Sequence, residues 1–144
     1  MSRALFLSIG ITDFLFMTYR LVAGLALFGI LNLPPDLMYG DYTNPRVVAW
    51  NWSFFQLDLI FSIFGYLAIS ASRRGDPVWR PYALISLGLT MTAGGMAVVY
   101  WAILGEFDPA WFIPNFILLV WPLFFIGNLI SESRKHATEA VGQT

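Results

Sequence analysis

An all-α polytopic membrane protein, built as a four-transmembrane-helix bundle, is the fold class this sequence predicts. Three observations carry that expectation. Apolar residues make up 58% of the chain and charged residues only 12%, against roughly 25% charged in a soluble domain. The apolar residues gather into four runs, each reaching the length of about 20 residues that a bilayer requires. The turn-forming and charged residues fall mostly between those runs.

The first run, 4–33, ends at Pro34 and Pro35. It is too long for the apolar stretch of a secretory signal, and it carries Asp13 and Arg20, so it is read as a retained helix. The second, 47–72, stops at Arg73-Arg74-Gly75-Asp76-Pro77. Pro81 opens the third, 81–104, and Pro109 opens the fourth, 109–130. Proline in a first turn sacrifices no helical hydrogen bond. Hydrocarbon offers backbone groups no partners, so runs that span it must be helical. Together they predict a transmembrane domain over 1–133 and a polar, mobile tail over 134–144.

The basic residues set the expected orientation. Arg3, Arg73, Arg74, Arg80, Arg134 and Lys135 fall on one side of a four-pass arrangement and Arg46 on the other. The positive-inside rule then places both termini in the cytoplasm and the protein in the cell membrane. Asp36, Asp41, Glu106 and Asp108 belong to loops expected to face outward. Trp50, Trp52, Trp79, Trp101 and Trp111 lie near span ends, where interfacial anchoring is the simplest account.

Composition also excludes several functions. With no cysteine, the chain has no disulfide, thiolate metal site or dithiol chemistry. Its one histidine, His136, lies in the tail, and a net charge of −1 gives no reason to expect nucleic acid. No metal and no cofactor is expected.

Asp13, Arg20 and Asp58 lie inside the spans, where an ionised side chain costs several kcal/mol unless paired or hydrated. At about 1.5 Å per residue, Asp13 sits roughly 13 Å from the cytoplasmic end, Asp58 roughly 20 Å, and Arg20 and Asn115 roughly 24 Å. Asp13, Met17, Arg20 and Gly24 share one helix face, and Asn51, Phe55, Asp58, Ser62 and Gly65 share another. These stripes are expected to face each other with Arg20 paired to Asp58, in a bidentate geometry that suits guanidinium and carboxylate. Asp13 is then a surplus acid able to hold or exchange a proton. Asp13 and Asp58 are the candidate catalytic pair, and Arg20, Asn51, Asp58, Asn115 and Trp121 the candidate ligand-binding set. On the third run, Gly88, Thr92, Gly95 and Val99 form a small-residue ridge expected to pack against a neighbour, with Thr90 and Thr92 as further cavity candidates. Pro114 and Pro122 are expected to kink the fourth helix and open a pocket beside Asn115 and Trp121.

Two resemblances accompany these readings. The stretch 41–59, with Asp41-Tyr42-Thr43-Asn44-Pro45, Ala49-Trp50-Asn51-Trp52-Ser53-Phe54 and Leu57-Asp58-Leu59, resembles the YvaD-type small membrane proteins of bacteria. Ala83-Leu84-Ile85-Ser86-Leu87 and Trp111-Phe112-Ile113-Pro114-Asn115 extend that likeness. More distantly, Ser53-Phe54 with Asp58-Leu59-Ile60-Phe61, then Thr90-Met91-Thr92 and the Pro114 helix, is similar to the EXPERA proteins, which include emopamil-binding sterol isomerases and the sigma-2 receptor. That resemblance implies a pocket for sterol-like or cationic lipophiles, with Asp58 as a pocket acid and Asp13 as a second. Arg20 departs from the pattern, and the isomerases' histidine–glutamate set is missing.

The leading functional expectation is therefore binding of a lipophilic, sterol-like, isoprenoid-like or cationic small molecule; were the protein an isomerase, Asp13 and Asp58 would shuttle the proton. The alternatives are a noncatalytic membrane partner or assembly subunit and a proton-coupled carrier. The strong basic bias disfavours a carrier working as an antiparallel dimer. Expected partners are membrane lipids, the lipophile, and a second copy or another membrane protein.

Overall fold

The computed structural model describes the backbone of residues 1–38 and 41–141, and the side chains within it except those of Asp36 and 133–141. The side chains of Arg134, Lys135 and His136, and tail residues 142–144, lie outside the described residues. The elements are α1 (Arg3–Leu27), α2 (Pro45–Ser53), α3 (Phe55–Arg73), α4 (Trp79–Leu104) and α5 (Pro109–Val141), with a 3₁₀ turn at Pro35–Leu37. Among the described residues, four helical spans are long and apolar enough to cross a membrane, α2 and α3 together forming the second. This is an all-α, four-span polytopic bundle.

Local chemistry explains the boundaries. Ser2 Oγ accepts the Leu5 N–H at 3.2 Å and starts α1. Asn44 Oδ1 accepts from Arg46 N at 3.0 Å ahead of α2, and Asp108 Oδ1 accepts from Ala110 N at 2.9 Å ahead of α5. Each cap satisfies an N–H with no intrahelical partner. Pro45 and Pro109 stand at the first position of their helices, where the missing donor costs nothing.

Three expected boundaries are corrected. Helix α1 ends at Leu27 rather than 33, because Gly29 takes φ +68° and the Ile30 N–H closes back on Leu25 O at 2.9 Å. That left-handed closure is easy for glycine and terminates a helix even within apolar sequence. The second span is broken at Phe54. Ser53 Oγ donates to Trp50 O at 2.6 Å, the Phe54 N–H turns to Asn51 O at 3.3 Å, and regular bonding resumes from Asp58 N to Phe54 O. A serine hydroxyl that takes a backbone carbonyl in this way bends a helix. Helix α5 continues past the expected end of its span to Val141, because 131–141 contain neither glycine nor proline.

Helix α3 packs on α4, α4 on α5 and α1 on α3, whereas α1 and α5 hardly touch. At the end carrying the termini the interior is filled by Leu5, Ile9, Ala68, Ala71, Trp79, Ala83, Leu87 and Leu129. The small-residue contact between α4 and α5 is made by Gly94, whose added Cβ would lie 2.5 Å from Asn115 O and 2.7 Å from Leu119 N. Of the ridge expected to pack, Gly95 approaches Leu119, but Thr92 and Val99 are exposed and Gly88 has open space beside it. Ala83, Leu87, Thr90, Ala93, Gly94 and Ala97 form the buried face instead. Phe14, Leu21, Tyr66, Ile103 and Phe124 point outward, the apolar belt a lipid-facing bundle requires.

Candidate functional site

The end opposite the termini is hollow. A cavity of about 280 Å³ lies between all the spans. Phe16 and Tyr19 come from α1, Trp50 and Asn51 from α2, Phe54 from the break, Asp58 from α3, Ala97 and Trp101 from α4, and Trp111 and Asn115 from α5. Towards the filled end, Phe16 meets Phe61 edge-to-face at 5.8 Å, and Phe61 is fully buried.

Arg20 is the polar centre of this wall. Its Nε donates to Asp58 Oδ2 at 2.5 Å and its Nη1 to Asn51 Oδ1 at 2.6 Å. Arg20 is 6% exposed and Asp58 1%, so the pair is taken out of solvent almost entirely. The expected pairing forms, but not as a bidentate fork: the guanidinium spreads its donors over the carboxylate and the asparagine. The break at Phe54 lets α2 contribute Asn51 while α3 contributes Asp58. It also changes the phase of the expected stripe, so Phe54 is buried and Phe55 exposed. The guanidinium carbon lies 5.5 Å from the Tyr19 ring and 5.9 Å from the Trp52 ring, within cation–π range.

The other expected residues divide. Asn115 reaches the cavity, with Nδ2 donating to Trp111 O at 2.6 Å. Asp13 does not. It sits two turns from Arg20, half-buried against Gly65, whose missing side chain leaves room for the carboxylate. The structure therefore does not bring Asp13 and Asp58 into one site. Trp121 also lies elsewhere, packing on the filled core and meeting Phe125 edge-to-face at 5.9 Å. Thr90 is buried with its hydroxyl on Ser86 O at 2.9 Å, and Thr92 is exposed, so neither lines the cavity.

Several wall residues are not in the expected set. Trp50 stacks on Tyr100 at 3.7 Å and meets Trp101 edge-to-face at 6.1 Å, joining α2 to α4. Trp50, Trp101 and Trp111 thus face the cavity rather than serving only as interfacial anchors. Trp79 is buried in the filled core. Tyr19 was the least visible; its position beside Arg20 was the available signal. Its ring meets Trp111 at 5.9 Å across the α1–α5 seam. Leu15, Ala110 and Pro114 line the cavity and are also exposed, so it reaches the bundle surface along that seam.

A family model described as a family of unknown function, DUF5360, matches residues 4–136. The chain is 38% identical over 125 residues to the uncharacterized protein YvaD of Bacillus subtilis (strain 168), covering 87% of this chain and 90% of that relative. No solved structure matches. The match spans all four membrane-crossing segments and every cavity residue, and the chain belongs to the DUF5360 family.

Proposed function

We propose that this protein binds a lipophilic small molecule inside the membrane, in the hollow half of its bundle. The observation that carries the reading is a cavity walled by aromatic and small apolar residues on which the buried Arg20–Asp58 pair and the half-buried Asn51 converge. Many apolar contacts with a few placed polar groups are the usual make-up of a ligand pocket. Its volume lies near the lower edge of the range of about 300–1,000 Å³ seen for such pockets. A ring-sized portion of a ligand fits inside, and a longer tail leaves through the α1–α5 seam into lipid.

The resemblance to EXPERA proteins supports the reading by analogy, since it too places a pocket acid at Asp58. Proton transfer is not part of it, because Asp13 stands outside the cavity. The basic residues favour an orientation with the termini in the cytoplasm and the hollow end outward, in the cell membrane.

Solvent extraction of the purified chain followed by mass spectrometry tests the proposal. The wild type is expected to retain a stoichiometric apolar molecule, of which Ala97→Leu, which puts a larger side chain into the cavity, retains far less. Equal recovery from both, or none from either, overturns it.

A further inference from the structure

Resting on that binding reading, we infer that the ligand's head is an uncharged hydrogen-bond acceptor, such as a ketone or quinone carbonyl, held by Arg20 with Tyr19 beside it. Three observations lead there. First, two of the guanidinium's N–H donors are engaged, by Asp58 and Asn51, and the others have no partner among the described residues. Arg20 is buried by more than nine-tenths, and the surface it retains lines the cavity. Second, the Tyr19 ring lines the same wall, while its hydroxyl is buried away from the cavity beside Asn51. Asn51 spends its carbonyl on Arg20 and turns its amide towards the Tyr19 hydroxyl, so the unpaired guanidinium N–H groups are the main free donors of this wall. Unused donors on this wall outnumber unused acceptors, the second Asp58 oxygen and the Asn115 carbonyl oxygen.

Third, the wall's charges cancel. Arg20 brings one positive charge and Asp58 one negative, in surroundings that are otherwise apolar. A cationic head would meet a fork of N–H donors and leave the site with a net charge. An anionic head would satisfy the donors but compete with Asp58 for Arg20, again leaving a charge in low dielectric. A neutral carbonyl satisfies the donors and leaves the balance at zero. This departs from the cationic lipophiles implied by the EXPERA resemblance, and the departure arises from Arg20.

Four probes on one naphthalene frame separate the possibilities: 2-acetylnaphthalene, 2-ethylnaphthalene, 2-naphthoate and 2-(2-naphthyl)ethylamine. The full chain in lipid nanodiscs is titrated with each, reading quenching of intrinsic tryptophan fluorescence, with Ala97→Leu as the narrowed-cavity control. The ketone is expected to bind saturably and about tenfold more tightly than the other three, the scale of one hydrogen bond to a charged donor. The double variant Arg20→Met/Asp58→Leu keeps the charge balance and is expected to reduce the ketone to the level of the ethyl compound. If the amine or the carboxylate binds best, or ketone and ethyl bind alike, the head-group inference is overturned while the pocket reading stands. If no probe binds saturably, or the wild type and Ala97→Leu behave alike, both are overturned.

Discussion

Arg20 is a permanently charged side chain in the middle of an apolar helix, and its surroundings show how that is tolerated. Asp58 neutralises it, Asn51 takes a second donor, and the rings of Tyr19 and Trp52 flank the guanidinium. Removing one member of a buried pair strands the other, at a cost of about 3–5 kcal/mol. Arg20→Met alone should therefore lower thermal stability in detergent sharply, and Arg20→Met/Asp58→Leu should recover most of the loss. A double-mutant cycle read by melting temperature checks this; additive losses would show that the two side chains act independently. The pair was legible in the sequence because helical rise puts Arg20 and Asp58 at similar depth and lipid leaves charges few alternatives. The role of Trp50 and Trp101 was not legible. An aromatic near a span end is equally at home at the interface, and only the packing of α2 on α4 decides between the two.

At the scale of the element, α4 carries two small-residue faces, and only one is used. The chosen face contains Gly94, where the α5 backbone passes too close for any side chain. Gly94→Val should force α4 and α5 apart and cost about 1–3 kcal/mol, as overpacking generally does. Gly88→Val, with open space around it, should leave the melting temperature nearly unchanged. Equal effects would mean that α4 is turned otherwise. Small residues recur on both faces, so spacing alone favoured Gly88, Thr92 and Val99, whereas the alanines that fill the true interface read simply as apolar. The break at Phe54 was equally hidden, since it depends on one hydroxyl choosing a carbonyl over lipid. The four spans themselves were plain, because length and apolar composition suffice to specify them.

The whole molecule is lopsided: a buried apolar cluster joins the helices near the termini, with an open cleft of about 490 Å³ beside Leu5, Trp79 and Leu129, and the cavity that carries the ion pair lies at the other end. Filling part of that cavity should stabilise the molecule. Ala97→Leu is expected to raise the melting temperature, with cavity filling worth about 0.5–2 kcal/mol, while sharply reducing ligand retention. A lower melting temperature would show that the space is smaller than it looks. Orientation can be tested directly because the chain contains no cysteine. In intact cells, Thr43→Cys should react with an impermeant maleimide and Ser2→Cys should not; the reverse result would invert the topology. The ion pair also has a consequence for biosynthesis. Arg20 precedes Asp58 by 38 residues, so the ribosome delivers the cation well before its partner exists. The first hydrophobic segment cannot be released singly into the bilayer at low cost. The first segment is expected to enter the bilayer together with the second, so a chain truncated between them should be poorly integrated.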